Sequence, residues 1–159
     1  MPVGPAAREL ALAYLAQHHV LTLATHGDDG PWAAAVFYAS EAFTLFFLSS
    51  PRSRHAQHLA ARPHAAGAIH EDNCAWPAIK GVQFEGTVAR LEGAEQEAAE
   101  RCYLAKFPFV PGAADRDLQR ALARVAWFKL MPVRLYYLDN SFGFGHRTRV
   151  LPEEEAESK

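Results

Sequence analysis

The sequence predicts a mainly β fold with added α: a small, mostly antiparallel β-barrel with helices packed at its ends. Three observations predict it. Strand-like apolar runs follow one another without a helix between each pair, which argues against a doubly wound parallel sheet. The stretch "IKGVQFEGTVARL" alternates as a half-buried strand does, with Val82, Phe84 and Val88 on one face and Gln83, Glu85 and Thr87 on the other. The chain has 159 residues, enough for one domain that buries roughly 70% of the surface its unfolded chain exposes, so a core forms without staples.

The elements follow in order. "PAARELALAYLAQH" (5–18) reads as an amphipathic helix that sets Leu10, Ala13, Tyr14 and Gln17 on one packing face. "VLTLAT" and "WAAAVFYAS" flank the Gly- and Asp-rich "HGDDGP", the signature of a hairpin. "FTLFFLS" makes a third strand, Pro51 breaks it, and residues 53–62 are helical. "HAAGAIHE" and the alternating stretch give two more strands. Helical patterns over 95–106 and 113–125 are separated by the Pro-punctuated "FPFVPG", and "VRLYYLD" closes the chain as a strand.

Composition excludes several classes. A formal charge of −2 with 21% charged residues describes neither a nucleic-acid binder with a basic stripe nor an acidic solvating chain. The terminal "PEEEAESK" holds four Glu and one Lys, so the body without it is about +1. No apolar run reaches the roughly 18 residues of a membrane span. Cys74 and Cys102 form no C-x-x-C and no disulfide framework, and no signal-peptide pattern opens the chain, so the cytoplasm is the expected compartment.

Charge is unevenly spread along the chain. Between Glu41 and Glu71 there is no acidic residue, while Arg52, Arg54, Arg62, His55, His58, His64 and His70 all fall there. The stretch "FFLSSPRSRHAQHLAARP" runs from strand through a sharp turn into a helix that Ser53 is placed to cap. Such a helix start offers unpaired N–H groups and the positive end of its dipole to an anion, and Arg54 adds a planar fork suited to phosphate oxygens. A capped surface helix with solvated arginines accounts for Ser53 and Arg54 taken singly; strand, turn, basic helix start and missing acids together point to an anion site. His55 and His58 stand three apart, but no HExxH, cysteine pair or nearby carboxylate completes a metal set, and none is expected.

Gln83 points away from the core, between Gly81 and Gly86. Its amide donates and accepts at once, which suits the edge of a heterocycle; a solvent-facing glutamine is the alternative. Trp32, Phe37, Tyr38 and Trp76 are candidate stacking walls or, equally, core and interface residues. The GxG of "FGFGHR" has no helix after it and reads as a flexible loop, not a dinucleotide fingerprint.

From Val20 to Gly93 these motifs resemble the pyridoxamine 5′-phosphate oxidase-like superfamily of FMN-binding split β-barrels, in which a strand, a Ser-Arg-Lys turn and a helix precede a Gln-Val-x-x-x-Gly strand. The closing "LDNSFGFGHR" is similar to a small bacterial branch of that superfamily. The resemblance implies a homodimer with FMN at the subunit interface. It makes Leu48 and Ser49 the strand-end pair at the flavin, Arg54 the phosphate arginine and Gln83 the glutamine at the flavin. His55 stands where the family pattern has Lys, so FMN affinity is expected to be weaker and pH-dependent. The oxidase's C-terminal substrate pattern is not recognisable, so oxidation of pyridoxamine phosphate does not carry over. On this reading residues 1–150 are an FMN-binding split-barrel domain and 151–159 an acidic, disordered tail. The expected function is that of a flavin-dependent oxidoreductase of an unidentified small substrate; the alternatives are a non-catalytic flavin or haem binding or sensing protein and a dimeric scaffold without cofactor. Strands as apolar as "AAAVFY" and "FTLFFL" also carry more apolar face than one narrow interior takes, which supports burial against a second copy.

Overall fold

Six antiparallel strands close on themselves in the computed structural model, which describes residues 5–108 and 116–152. They are β1 (Val20–Gly27), β2 (Gly30–Glu41), β3 (Thr44–Ser49), β4 (His64–His70), β5 (Lys80–Leu91) and β6 (Ala126–Asp139). Their order is β3-β2-β1-β4-β5-β6, and β3 pairs back onto β6 from Leu45–Leu130 to Ser49–Ala126. The split β-barrel is therefore present. A seventh strand, β7 (Arg147–Leu151), pairs with the far side of β6.

Inside the barrel lie Leu21, Leu23, Leu45, Phe47, Ile69, Val82, Phe84, Leu130 and Leu135. Helix α1 (Pro5–Gln17) closes the end where β1 begins: Ala11 and Leu15 join the core, Tyr38 donates its hydroxyl to the Leu15 carbonyl at 2.7 Å and Tyr14 donates to the Lys80 carbonyl at 3.1 Å. Helix α2 (Arg54–Ala61) covers the opposite end with Ala56 and Leu59. Outside the wall, α3 (Gly93–Lys106) lays Ala99 and Tyr103 over Ala39, Phe46, Leu91 and Trp127. That layer explains why "FTLFFLS" does not alternate. Leu45 and Phe47 face the interior while Phe46 faces α3, so both sides of β3 are dry.

Several expectations change. The buried face of α1 is Ala11, Tyr14 and Leu15; Leu10 is 45% exposed and Ala13 and Gln17 also face outward, so of the predicted face only Tyr14 packs. β6 begins at Ala126, seven residues before the predicted "VRLYYLD" strand, because its first half is apolar on both faces, with Phe128 inward and Trp127 under α3. Pro132 interrupts the pattern where the β5–β6 register shifts beside Gly86. A Cβ on Gly86 would lie 2.2 Å from the Met131 carbonyl oxygen, so only glycine admits that approach. The second helical stretch holds α4 (Arg116–Leu122), which ends before the predicted 125; residues 113–115 and most of the predicted "FPFVPG" connection lie outside the described residues, as does the expected 151–159 tail from 153 onward, Leu151 being the last residue of β7. "FGFGHR" leads into β7, which was not expected. No helix among the described residues is long and apolar enough to cross a membrane.

Candidate functional site

The basic turn sits where β3 delivers the chain to α2. Ser53 is the N-cap as predicted: its Oγ accepts from Ala56 N at 3.2 Å. The first-turn N–H groups of Arg54 and His55 have no intrahelical carbonyl to reach, as at any helix start. Ser49 Oγ lies 3.1 Å from Ser53 Oγ and 2.6 Å from His55 Nε2, which ties the strand end to the helix start. Leu48 points the other way, against the α3-side cluster, with Trp127 as its strand partner. Ser49, Ser53, Arg54 and His55 thus gather at one junction, while the Leu48 side chain packs away from it.

His55 is turned inward. It is 8% exposed, and burial followed by the nearness of His58 holds its pKa below the usual 6.5. In the chain by itself it is mostly neutral at pH 7, a partner to Ser49 and not a ready cation.

Arg54 does not stand free. The absence of acids along 42–70 suggested guanidinium groups without competing carboxylates, but the fold corrects this by bringing in the β1–β2 hairpin. Gly27 pairs with Gly30, so Asp28 and Asp29 are the turn residues; neither has positive φ, and the left-handed step falls on Gly30 at φ 101°, as where a glycine follows a type I turn. Asp28 Oδ1 meets Arg62 Nη2 at 2.6 Å. Asp29 meets both Arg54, whose Nε lies 2.8 Å from Oδ2, and His58, whose Nε2 lies 2.6 Å from Oδ1. Arg54 Nη2 also donates to the Asp29 carbonyl at 2.9 Å, and its guanidinium carbon stands 4.7 Å over the Trp32 ring. The Nε–H is nonetheless off the line to Oδ2: the contact is an ion pair, and the buried Nε has no aligned acceptor. Both turn carboxyls are held below the usual carboxylate range, Asp28 chiefly by the hydrogen bond from Arg62 and Asp29 chiefly by the one from His58.

His58 is 5% exposed and has both ring nitrogens engaged, Nε2 with Asp29 and Nδ1 with Thr25 Oγ1 at 3.0 Å. An ionised carboxylate only accepts, so Nε2 carries hydrogen. Among the described residues no cluster of three or more His, Cys, Asp or Glu is arranged to hold a metal ion.

The arrangement suits an oxyanion: a partly exposed guanidinium, two hydroxyls and a helix start lie within one junction. Gln83 is not part of it. It lies exposed on the outer face of β5, between Ala68 of β4 and Tyr136 of β6. That face is smooth where Ala24, Ala33, Ala35, Ala66 and Ala68 adjoin in register, and exposed Val20, Phe37 and Val133 flank it. A concavity of about 520 Å³ opens in it, lined in part by His26, His64, Glu85 and Val133. Of the candidate stacking walls, Tyr38 is fully buried core, Trp32 lies under Arg54, Phe37 packs edge-on to Phe107 and Trp76 edge-on to Phe144. Asp29, His58 and Thr25 were missed as site residues. The "DD" turn was visible in the sequence, but its seat against α2 is a long-range contact that local patterning does not carry.

The sequence profile of the pyridoxamine 5′-phosphate oxidase family matches residues 7–139. UPF0306 protein YhbP of Salmonella schwarzengrund is 32% identical over 146 residues, covering 91% of this chain and 92% of that one. Among solved structures, a haem-binding protein from Mycobacterium smegmatis superposes with a TM-score of 0.74 at 26% identity over 94% of this chain. The match spans 60% of that protein's length. General stress protein 26 of Bacillus anthracis has the same fold at 16% identity, with a TM-score of 0.62 over 90% of this chain and 98% of that one.

Proposed function

Because the chain belongs to the pyridoxamine 5′-phosphate oxidase family, we propose that it is an FMN-binding flavoprotein whose phosphate site is the β3–α2 junction. The observation that carries this reading is Arg54, held at the start of α2 by Asp29 and backed by Trp32 while its side chain stays 36% exposed next to the Ser53 cap. A phosphate oxygen accepts from the outward N–H groups of that fork, which Asp29 orients from behind. Ser53 keeps the helix start open toward the anion, Ser49 offers its hydroxyl beside it, and Leu48 sets the strand end that the family uses at the flavin. His55 takes the lysine's place by a different route: neutral when buried alone, it gains a proton as a phosphate dianion approaches. FMN when bound supplies the redox chemistry, and this chain's residues position the cofactor and set its polarity. The activity that follows is that of an oxidoreductase toward a small substrate, in the cytoplasm on the evidence of cysteine usage.

The reading includes a twofold homodimer. The alanine-floored outer face with its exposed Val20, Phe37 and Val133 suits a second copy, and Gln83 on that face is then the residue offered to the partner's cofactor. A second reading, non-catalytic haem binding, is favoured by the likeness to the mycobacterial haem-binding protein and by His26 and His64 at the 520 Å³ concavity. The test is a pair of titrations. Arg54→Ala should weaken FMN roughly tenfold to a hundredfold, the equivalent of a charge-assisted hydrogen bond, and leave riboflavin almost unchanged. Equal losses for both ligands would remove Arg54 from the phosphate site.

A further inference from the structure

We infer that Asp29 is the positioning residue of Arg54: through a carboxylate fixed by His58 and Thr25, the hairpin turn holds the arginine fork in the pose that distinguishes FMN from riboflavin. The inference rests on the reading of Arg54 as the phosphate arginine and adds residues that the β3–α2 motif does not contain.

The geometry is a chain of contacts running from the core outward. Thr25, 5% exposed, meets His58 Nδ1; His58, equally buried, gives its Nε2 hydrogen to Asp29 Oδ1; Asp29 Oδ2 faces Arg54 Nε while the Asp29 carbonyl accepts from Arg54 Nη2. The Trp32 ring backs the guanidinium. A lone surface carboxylate would give an arginine little orientation, since an exposed pair trades its attraction against side-chain entropy. Here the entropy is already spent, because His58 immobilises the carboxylate. Gly27 supports the same arrangement: a Cβ there would lie 2.4 Å from the His58 ring, so the strand end is cut back to admit the imidazole beneath the turn.

The carboxylate is also the group this pose requires. Its two oxygens accept from two donors that converge from different elements, His58 from the middle of α2 and Arg54 from its start. An amide of the same shape has one oxygen. Whichever donor takes it, the other faces an NH2 group and is pushed away. Asp29→Asn therefore separates the hold on the fork from the bulk of the side chain. Asp29 also carries a negative charge close to where a phosphate would dock, so its removal favours the anion on charge alone. That term is screened, since the Asp29 side chain is 59% exposed, and the loss of a preset fork outweighs it.

The experiment is a double-mutant cycle with an independent spectroscopic readout. FMN and riboflavin affinities are measured for the wild type, Asp29→Asn, Arg54→Ala and the double variant, and hydrogen exchange of the Arg54 Nε–H is followed by NMR, its signal assigned by its loss in Arg54→Ala. Expected are a protected Nε–H in the wild type that exchanges fast in Asp29→Asn, and a roughly three- to tenfold loss of FMN affinity with riboflavin unchanged. Adding Asp29→Asn to Arg54→Ala should cost nothing further. Unchanged Nε–H protection in Asp29→Asn, tighter FMN binding in that variant, or the same loss with and without Arg54 would overturn the inference. Equal weakening of both ligands by Arg54→Ala would overturn the phosphate reading instead, and the exchange rate would still decide whether Asp29 holds the fork.

Discussion

Replacing Phe47 with alanine probes the seam that both closes the barrel and carries the site. Phe47 is fully buried and stacks on Phe128 of the facing strand, ring centroids 5.1 Å apart and planes 13° from parallel. Deleting a buried phenyl costs about 3–5 kcal/mol, and the lost ring pair adds about 0.5–1.5 kcal/mol. The sum of about 3.5–6.5 kcal/mol is a large share of the roughly 5–15 kcal/mol by which a domain is stable. For a chain of this length each kcal/mol moves the melting temperature by about 2–4 °C, so a drop of at least about 7 °C is expected. Urea unfolding is the assay, with Phe47→Leu as a milder step and Phe128→Leu completing a cycle whose coupling reports the ring pair. A loss below about 1.5 kcal/mol at unchanged m-value would refute the reasoning: either the interior collapses around the gap or the β3–β6 seam is not packed as described. Leu48 and Ser49 are the next residues of the same strand, so a loosened seam should also weaken FMN binding in the fraction that stays folded.

His55 gives two linked expectations. Its folded pKa lies below the usual 6.5, so the unfolded chain takes up the proton first; its share of stability is present above about 6.5 and declines as pH falls toward the depressed folded value, a slope that His55→Gln should flatten. FMN favours the charged ring, so binding takes up a proton and FMN affinity should fall as pH rises from the free to the complexed pKa; the same titration in His55→Gln subtracts the phosphate's own ionisation near pH 6. Lys106 donates to the Leu15 and His18 carbonyls at the end of α1, stands 4.1 Å from the Tyr38 ring centroid and is pushed down by burial to about 8. The unfolded chain holds that proton more tightly, so stability measured by urea should rise between about pH 8 and 10.5 relative to Lys106→Met. Gln83→Ala should leave the melting temperature of the chain without FMN almost unchanged, as an exposed strand residue does, while lowering flavin affinity; a wild-type affinity in the variant would take Gln83 out of the site.

Where local chemistry decides the structure, the sequence was readable. The alternation of β5, the Ser53 cap and the Asp-Gly hairpin each depend on residues a few positions apart, and each stands where the pattern puts it. The misses have one cause in common: they depend on what a residue meets across the fold. The face of α1 turned because its partners are Tyr38, Lys80 and Tyr137, which no helical wheel contains. The first half of β6 lost its period because α3 covers one side and the barrel interior the other. The junction was legible as a basic strand–turn–helix, whereas its acidic counterpart was not, because Asp28 and Asp29 arrive from 25 or more residues upstream of the arginines they face.

The absorbance spectrum of the purified protein, followed by mass identification of any cofactor it releases, tests the central claim most directly. The account predicts flavin bands shifted from those of the free cofactor and a released mass equal to FMN, at one per chain. A Soret band with haem in the released fraction, or a protein that stays colourless and takes up no added FMN, would contradict it.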